Sequence, residues 1–334
     1  MYEIVFPIVF TVILLQLFKK YSFVFGMVDI PSSRSIHTKP TPRGGGIVFI
    51  GVMIISIMLF YIDIYKNFSA TLLALVIIWI TGIIDDIHFA SPKFKFASIA
   101  VATLLLSYNG IVIESVSHFA NTTISLGVFT LPFTYFAIAG YTNAFNLIDG
   151  IDMLATITAI VISFFLLYLG YTYEDQILFT TSLILLEVLV GFLVFNTPPA
   201  SIFMGDSGSL SIGFILSILF IKSLSYIPAV AVLYFGALPI IDTLVSMLRR
   251  YIDTHPLSKA DRCHLHHILL QVTKSHKKSL FILISLQIFM MLLGWILMQL
   301  IDTLWMLILF FVIVAVIYFI VQKLRKRYAL ECYS

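Results

Sequence analysis

Long runs of apolar residues alternate with short polar segments along this 334-residue chain. Most runs approach the length of about 17 to 25 residues that an α-helix needs to cross a bilayer, and they are near-continuous rather than alternating. Because lipid offers no hydrogen bonds to exposed backbone, such runs indicate helices. The pattern predicts eleven membrane-spanning helices, at 2–18, 46–62, 69–84, 96–113, 127–141, 151–170, 177–195, 208–221, 226–248, 279–300 and 303–321.

The composition agrees with a protein that is embedded in lipid. Hydrophobic residues make up 60% of the chain and charged residues 11%, and the mean hydropathy is +1.05, outside the range of soluble domains. The longest polar segment, 249–278, is too small to fold alone. The sequence therefore predicts an all-α integral membrane protein, a polytopic bundle in which residues 1–334 form one transmembrane domain. A net charge of +3 without a charged tail argues against nucleic acid as a partner.

The basic residues lie almost entirely on one side of the predicted membrane. Of the lysines and arginines, only Lys66 and Lys222 fall on the other side. Cytoplasmic loops of membrane proteins carry an excess of such residues. We therefore expect the basic side to be cytoplasmic, with the N-terminus outside and the C-terminus inside.

Polar residues that a membrane bundle does not need gather in the loops of this basic side. Five such loops are predicted, near 19–45, 85–95, 142–152, 196–209 and 249–278. The outer loops, such as 114–126, carry no comparable concentration. Catalytic chemistry is therefore expected at the cytoplasmic face.

Three aspartates in these loops suggest a divalent cation. Asp85 and Asp86 close an apolar helix, where adjacent like charges repel each other unless a cation or a basic group compensates them; the alternative is a solvated helix end. Asp206 lies in a Gly-Asp-Ser-Gly-Ser loop, and Mg²⁺ usually takes one or two carboxylates together with substrate phosphates. We predict that Asp206 anchors the metal; the alternative is an aspartate that caps the eighth helix through its side chain.

Asn143, Asn146 and Asp149 recur every three residues, which would bring their side chains within reach of one site at a helix end. Asn146 offers a carbonyl oxygen to a metal and an amide to a phosphate or sugar, and Asp149 offers a carboxylate. The alternative is a polar helix cap.

A histidine cluster lies in the last cytoplasmic loop. His264, His266 and His267 follow Arg262, and this combination suits hydrogen bonds to a pyrophosphate or a sugar. A zinc site is a weaker interpretation, because two of the histidines are adjacent and Cys263 is the sole nearby cysteine. A structural role, covering the mouth of the bundle, is a third interpretation.

A basic loop precedes the second predicted helix. Arg34, His37 and Arg43 are followed by the glycines 44–46, whose backbone could approach an anion closely. Basic loops beside a membrane also attract anionic lipid headgroups without specificity. Lys95 could likewise bind a phosphate or act as an interfacial anchor.

Two further acids, Glu187 and Asp242, lie within predicted spans. Acids inside a membrane are functional candidates by default. Asp242 is near the cytoplasmic end of its span, where it could support the site.

Taken in order, these motifs resemble the polyprenyl-phosphate N-acetylhexosamine-1-phosphate transferases, the superfamily that contains WecA, TagO and MraY. The resemblance covers roughly 29–267. It rests on Pro-Arg-Gly-Gly-Gly, Asp85-Asp86, Asn-x-x-Asn-Leu-x-Asp-Gly-x-Asp, Met-Gly-Asp-x-Gly-Ser and the histidine motif. The His-Leu-His-His form is similar to the WecA and TagO branch, which disfavours a muramyl-pentapeptide donor.

The resemblance implies transfer of an N-acetylhexosamine 1-phosphate, first choice GlcNAc-1-phosphate, from a UDP-sugar to undecaprenyl or another polyprenyl phosphate, with release of UMP. This reaction initiates a cell-envelope polysaccharide such as O-antigen, enterobacterial common antigen or a teichoic-acid-like polymer. The implied location is the bacterial cytoplasmic membrane, with the active site facing the cytoplasm. The implied cofactor is Mg²⁺, for which Mn²⁺ could substitute. The expected partners are the polyprenyl phosphate, the UDP-sugar and the bilayer, and the assembly could be a homodimer.

The resemblance and the residues together assign the site. Acids and histidines expected at the reaction centre are Asp85, Asp86, Asp149, His264, His266 and His267. Residues expected to bind substrate are Arg34, His37, Arg43, Lys95, Asn143, Asp152, Asn196 and Arg262. Asp206 and Asn146 are expected to hold the metal.

The expected mechanism is direct attack of the lipid phosphate on the sugar-bearing phosphorus, with Asp85 accepting the proton of any monoprotonated lipid phosphate. A covalent aspartyl intermediate on Asp85 is the rival. Competing hypotheses for the function are a phospho-MurNAc-pentapeptide transferase, a transporter of an anionic lipid-linked sugar and a non-catalytic scaffold. A transporter should place its charges near the midplane on discontinuous helices, whereas here they gather on one face.

Overall fold

The computed structural model describes residues 2–31, 39–119, 122–254 and 263–329, which are mainly helical. The helices are α1 (Tyr2–Tyr21), α2 (Gly45–Phe60), α3 (Ile62–Tyr65), α4 (Ser69–His88), α5 (Pro92–Tyr108), α6 (Thr130–Ile148), α7 (Leu154–Thr172), α8 (Gln176–Asn196), α9 (Asp206–Ser223), α10 (Ala229–Phe235), α11 (Ala237–Ile252), α12 (Leu265–Thr273), α13 (His276–Leu300) and α14 (Thr303–Tyr328). Two short antiparallel hairpins pair β1 (Val28–Asp29) with β2 (Thr41–Pro42) and β3 (Ser115–Phe119) with β4 (Thr122–Ser125).

Each of the eleven predicted spans overlaps a helix. Among the described residues, seven helical segments are long and apolar enough to cross a membrane, or eight if α10 and α11 count as one broken span. The prediction of an all-α, polytopic membrane protein is confirmed at this level. The count of eleven and the orientation stay predictions.

The ninth predicted span, 226–248, is wrong as a continuous helix. It consists of α10 and α11, which meet at an angle of 87°. The buried side chain of Gln287, on α13, compensates the break: its Nε2 donates to the carbonyl of Phe235 at 2.7 Å, and its Oε1 accepts from the N–H of Leu238 at 2.9 Å. A broken helix is tolerated in a membrane protein where such partners satisfy the freed backbone groups.

Gln287→Leu is therefore expected to destabilise the protein by about 1 to 3 kcal/mol, because it leaves one buried donor and one buried acceptor unsatisfied. Thermal unfolding in detergent would measure the effect. Gln299→Leu is the matched control, since Gln299 is exposed on the same helix and the same substitution removes no such bond. Equal melting temperatures for the two variants would contradict this role of Gln287.

The chain divides into two compact units. The first comprises Met1–Glu114 with Leu126–Tyr226, and the second comprises Ser115–Ser125 with Ile227–Ser334. The single transmembrane domain over 1–334 stays a prediction.

Helix α9 is the centre of the first unit. Nearly all its side chains are buried, and it packs on α2, α4, α6, α7 and α8. Small residues permit this packing: a Cβ on Gly46 would lie 2.0 Å from the backbone nitrogen of Gly208, and a Cβ on Gly82 would lie 2.4 Å from Cα of Ser207. The starts of α2 and α9 and the last turns of α4 therefore touch backbone to backbone.

In the second unit, α10 packs on α13 and α14, and α12 packs on the same two helices. Tyr234 is fully buried, its hydroxyl donates to the carbonyl of Met306 at 2.6 Å, and its ring lies against Gly294. These contacts hold the helices around the bend between α10 and α11.

Candidate active site

A carboxylate from another helix caps the N-terminus of α9. Asp86, near the end of α4, accepts hydrogen bonds from the backbone N–H groups of Asp206 (2.8 Å) and Ser207 (3.0 Å). Helix N-termini leave such groups without internal partners and favour an anion there. Gly205, with a φ of 75°, allows the close approach, since a Cβ at that position would lie 2.7 Å from the Asp86 carboxylate. Asp206 does not cap α9 through its own side chain, so this alternative is wrong.

Arg43 links the two acids. Its Nε lies 3.2 Å from Oδ1 of Asp86, and its Nη2 donates to Oδ2 of Asp206 at 2.8 Å. Burial lowers the pKa of Arg43, but the nearby carboxylates, Asp206 and Asp86 foremost, together raise that pKa more strongly, and the net pKa lies above its ordinary value. The guanidinium therefore carries a permanent positive charge among the acids.

Lys95, at the start of α5, lies between two carboxylates. Its Nζ pairs with Asp85 Oδ2, and the same Nζ lies 3.9 Å from Asp206 Oδ2. Asp85 is almost fully buried, and such a carboxylate requires a compensating charge. The structure therefore brings together Asp85, Asp206 and Lys95, which the sequence had assigned to one site.

Asn146, in the last turn of α6, completes this group. Its Nδ2 donates to Asp206 Oδ1 at 2.5 Å and to Ser209 Oγ at 2.8 Å. Asn143 lies one turn earlier on the same helix, and its side chain makes no hydrogen bond to another described residue. Of the three residues at that spacing, Asn146 is the one that contacts Asp206.

The donor set of this cluster fits a hard cation. Asp85 and Asp206 present carboxylate oxygens on either side of a lysine ammonium, which shows that the position attracts positive charge. Within the described residues, no group of three or more histidine, cysteine or acidic side chains forms a metal cage. Mg²⁺ does not need one, since it retains waters and binds one or two carboxylates together with phosphates.

Two of the three glycines in the predicted anion cradle have amides that bind protein partners. The N–H groups of Gly45 and Gly46 donate to the carbonyls of Phe203 and Met204, both at 2.9 Å. A side chain on Gly45 or Gly46 would collide with Phe192 and the loop before α9 or with α9 itself. Gly44 has a φ of 103°, a left-handed conformation that favours glycine.

Asp149 follows α6 immediately, within electrostatic reach of the cluster. Desolvation raises its pKa to about 7, and the negative charge of Asp206 acts in the same direction, while Arg43 opposes both. Its carboxyl can therefore hold a proton near neutral pH, unlike an ordinary surface aspartate. This placement is compatible with the predicted role at the reaction centre, which stays a prediction.

Asp152 and Asn196, predicted to bind substrate, hold two loops together. Asp152 Oδ2 accepts from the N–H of Ala200 at 2.9 Å. Asn196 is buried, and its Oδ1 accepts from the N–H of Met153 at 2.9 Å and from the hydroxyl of Thr156 at 2.7 Å. Both residues position the segment that leads to Asp206. Their contact with substrate stays a prediction.

The histidine motif lies in the second unit, and its members differ in environment. His264 and His266 are buried, whereas His267 is partly exposed. Burial lowers the pKa of His266 to about 3, so that its ring is neutral, and its Nε2 has no hydrogen-bond partner among the described residues. His266 thus does not offer a charged donor. Arg34, His37 and Arg262 lie outside the described residues.

Asp85 and Asp86 are adjacent in sequence but differ in function here. We expect Asp86→Asn to lower stability by about 1 to 2 kcal/mol, because it replaces a helix-capping carboxylate and breaks the ion pair with Arg43. Asp85→Asn is not a neutral control, because it breaks the buried ion pair with Lys95. Asp63→Asn is the control, since Asp63 is 83% exposed and lies away from α9. Thermal unfolding should show a loss for Asp86→Asn alone, and equal melting temperatures for the two variants would contradict the capping role.

Sequence reasoning missed the part that Ser207 and Ser209 play. The N–H of Ser207 binds Asp86, and the hydroxyl of Ser209 binds Asn146. The available signal was the Gly-Asp-Ser-Gly-Ser motif, in which serines at a helix start favour local hydrogen bonds. Their partners lie on other helices, so the motif alone did not identify them.

Comparisons with known proteins show which family the chain resembles. Residues 68–224 match the family model described as glycosyl transferase family 4. A probable undecaprenyl-phosphate N-acetylglucosaminyl 1-phosphate transferase of Bacillus subtilis (strain 168) is 33% identical over 278 residues, which cover 81% of this chain and 77% of the relative. A decaprenyl-phosphate N-acetylglucosaminephosphotransferase of Mycolicibacterium smegmatis is 31% identical over 298 residues, with coverage of 78% and 72%. A phospho-N-acetylmuramoyl-pentapeptide-transferase of Clostridium novyi (strain NT) is 35% identical over 211 residues, with coverage of 58% and 64%.

The fold and the site define a polytopic membrane protein with a buried cluster of acids and bases at the ends of its helices. The chain belongs to glycosyl transferase family 4, the superfamily of polyprenyl-phosphate sugar-1-phosphate transferases. The resemblance found in the sequence is thereby confirmed.

Proposed function

We propose that this protein transfers N-acetylglucosamine 1-phosphate from UDP-N-acetylglucosamine to a polyprenyl phosphate and releases UMP. The proposal rests on one observation, the cluster of ion pairs and hydrogen bonds that joins two acids, an asparagine and two cations. Its members are Asp85, Asp206, Asn146, Arg43 and Lys95. Phosphoryl transfer needs positioning and charge neutralisation more than covalent chemistry. The relatives named for this transfer support the same conclusion.

In the proposed reaction, an oxygen of the polyprenyl phosphate forms a bond to the phosphorus that carries the sugar. The bond from that phosphorus to the bridging oxygen breaks, and UMP leaves with the electron pair. Arg43 and Lys95 would offset the negative charge on the phosphate oxygens. Asp85 would accept the proton if the acceptor phosphate is monoprotonated.

Asp206 and Asn146 would hold Mg²⁺, with Asp85 close enough to contribute. When bound, the ion would neutralise phosphate charge that the two basic side chains do not offset. Mn²⁺ prefers similar oxygen ligands and could replace it. Removal of the metal by a chelator should therefore abolish UMP release.

The polyprenyl chain has a candidate position between α1 and α2. An apolar groove of about 380 Å³ there is lined by residues that include Phe18, Val48 and Ile55. Phe18 and Asp86 Oδ2 both lie within 4 Å of the position that a Cβ on Gly44 would take, so the groove adjoins the carboxylate cluster. We propose that the prenyl chain occupies this groove while its phosphate lies beside Arg43.

Filling the groove tests this placement. Val48→Phe should raise the KM for undecaprenyl phosphate by about tenfold, because a bulky ring displaces apolar contacts worth about 1.4 kcal/mol. The KM for a short-chain prenyl phosphate should not change. Leu59→Phe, on an exposed part of the same helix, is the control. Equal KM increases for long and short acceptors would contradict the groove.

We further propose that the protein is a multi-pass protein of the bacterial cytoplasmic membrane, with eleven spans, an external N-terminus and a cytoplasmic active site. The distribution of basic residues supports this orientation. Single cysteines introduced in place of Lys66 and Lys326 test the orientation. In intact cells, an impermeant thiol reagent labels only cysteines on the external face of the membrane. Labelling at Lys66 and protection at Lys326 are expected, and the opposite result would reverse the topology.

The test of the proposed function is release of UMP by the purified protein in detergent. The protein would be given polyprenyl phosphate and a panel of UDP-sugars, including UDP-N-acetylglucosamine and UDP-MurNAc-pentapeptide, with magnesium or with a chelator. Magnesium-dependent UMP release matched by lipid-linked N-acetylglucosamine supports the proposal. Turnover confined to the pentapeptide donor would favour the phospho-MurNAc-pentapeptide alternative.

A further inference from the structure

A buried carboxylate on α11 holds the first residue of the histidine motif. Asp242 and His264 are 1% and 5% exposed. Asp242 Oδ2 lies 2.7 Å from Nδ1 of His264, and Asp242 Oδ1 accepts from the backbone N–H of Leu265 at 2.6 Å. The two carboxylate oxygens thus bind two consecutive residues, and together these bonds fix the position and the orientation of the imidazole.

Other polar residues of α11 hold the same segment. Asp242, Ser246 and Arg249 are spaced i, i+4 and i+7, and therefore share one face of the helix. The fully buried Arg249 donates from Nη1 to the carbonyl of Cys263 at 2.5 Å, and Ser246 Oγ lies 3.4 Å from His264 Nδ1. One helix face thus fixes the peptide on both sides of His264.

The hydrogen bond determines which ring nitrogen of His264 remains for a ligand. An ionised carboxylate only accepts, so Nδ1 must carry the proton. The other nitrogen, Nε2, then accepts when the ring is neutral and donates when the ring is an imidazolium.

We propose that Asp242 is a positioning residue for the transfer reaction, which acts through His264. It binds Nδ1–H and thereby fixes the ring, so that Nε2 is the nitrogen that contacts the nucleotide-sugar. This inference rests on the proposed function for the identity of the donor. The placement of Asp242 against His264 stands independently of it.

Kinetics of Asp242→Asn test this role. We expect kcat/KM for the UDP-sugar to fall by about 10- to 100-fold, the range found when a carboxylate that orients a ligand histidine is removed. The KM for polyprenyl phosphate should stay unchanged, whereas general structural damage would impair both substrates. Asp253→Asn, at the end of the same helix, is the matched control, because Asp253 pairs with Arg325 at 2.5 Å.

A comparison of single and double variants distinguishes a positioning role of Asp242 from a role that is independent of His264. If Asp242 acts through His264, then Asp242→Asn together with His264→Gln is no slower than His264→Gln alone. Losses that multiply in the double variant would overturn the proposal.

If Asp242→Asn does not fold, NMR spectroscopy of His264 in the wild-type protein tests the proposal instead. Histidine labelled with ¹⁵N shows by solid-state NMR which ring nitrogens carry protons, and the His264 signals are those absent from His264→Gln. A protonated Nδ1 is expected, and an unprotonated Nδ1 would overturn the proposal. If the wild-type protein turned over no UDP-sugar, the proposed function would fail, while this NMR result would still decide the Asp242–His264 arrangement.

Discussion

Asp206→Asn is expected to lower the rate of UMP release by about a hundredfold or more while the protein stays folded. Asparagine preserves the shape of the side chain but removes the charge that Arg43, Lys95 and Asn146 surround. Since Asp206 is also the proposed metal anchor, the variant should require a higher magnesium concentration for half-maximal activity. Steady-state UMP release over a magnesium titration measures both effects.

The matched control for this variant is Asp63→Asn. Asp63 is 83% exposed and pairs only with Lys66 among the described residues, so the same loss of charge should leave the kinetics unchanged. Wild-type activity and wild-type magnesium dependence in folded Asp206→Asn would refute the assignment of Asp206. A loss of folded protein would instead show that the cluster is needed for stability.

The second large effect is expected at Gly46. A Cβ at this position would lie 2.0 Å from the backbone nitrogen of Gly208 and 2.2 Å from its Cα, and backbone cannot yield as a flexible side chain can. Gly46→Ala should therefore force α2 away from α9, at a cost of about 3 kcal/mol or more. A lower melting temperature in detergent, or failure to recover folded protein, is the expected result.

Gly140→Ala is the control for this substitution. Gly140 is also helical, on α6, and nothing lies within 4 Å of a Cβ built on it. Alanine there should leave the melting temperature unchanged or raise it, since glycine costs about 0.5 to 1 kcal/mol relative to alanine inside a helix. If both variants were equally stable, the close contact between α2 and α9 would not exist in the protein.

The sequence identified several members of the site correctly as neighbours, and the reason is the topology of a helical membrane protein. Loops on one side of a membrane have a limited surface to occupy, so polar loops there come together. Asp85, Lys95, Asn146 and Asp206 were assigned to one site on that argument together with the family resemblance, and in the structure they lie in contact.

The division of roles within this set was not predictable. Asp85 and Asp86 appear as one motif in the sequence, yet Asp86 caps α9 whereas Asp85 pairs with Lys95. A helix turns about 100° per residue, so adjacent side chains point in different directions, and what each one meets depends on the packing of other helices. The same holds for Asn196, whose conspicuous polar side chain is used inside the protein.

The partner of His264 shows how far a residue that supports the site can be identified from the sequence alone. Asp242, Ser246 and Arg249 form a polar stripe at helical spacing in an apolar segment, and such a stripe indicates a buried polar contact. From the sequence, Asp242 alone was named as a possible support of the site, and the stripe was recognised in the structure. The spacing could not identify the partner of this helix face, because His264 is 22 residues away along the chain.

By itself, then, the sequence determined that this protein is a helical membrane protein and where most of its helices lie. Hydrophobic run length and the need to satisfy backbone hydrogen bonds in lipid are local properties, and they leave few alternatives. The tertiary structure alone decided that Asp86 caps α9, that Gly45 and Gly46 serve close packing and that Gln287 compensates a break in another helix. Each of these depends on atoms that are distant in sequence, and no local pattern encodes that proximity.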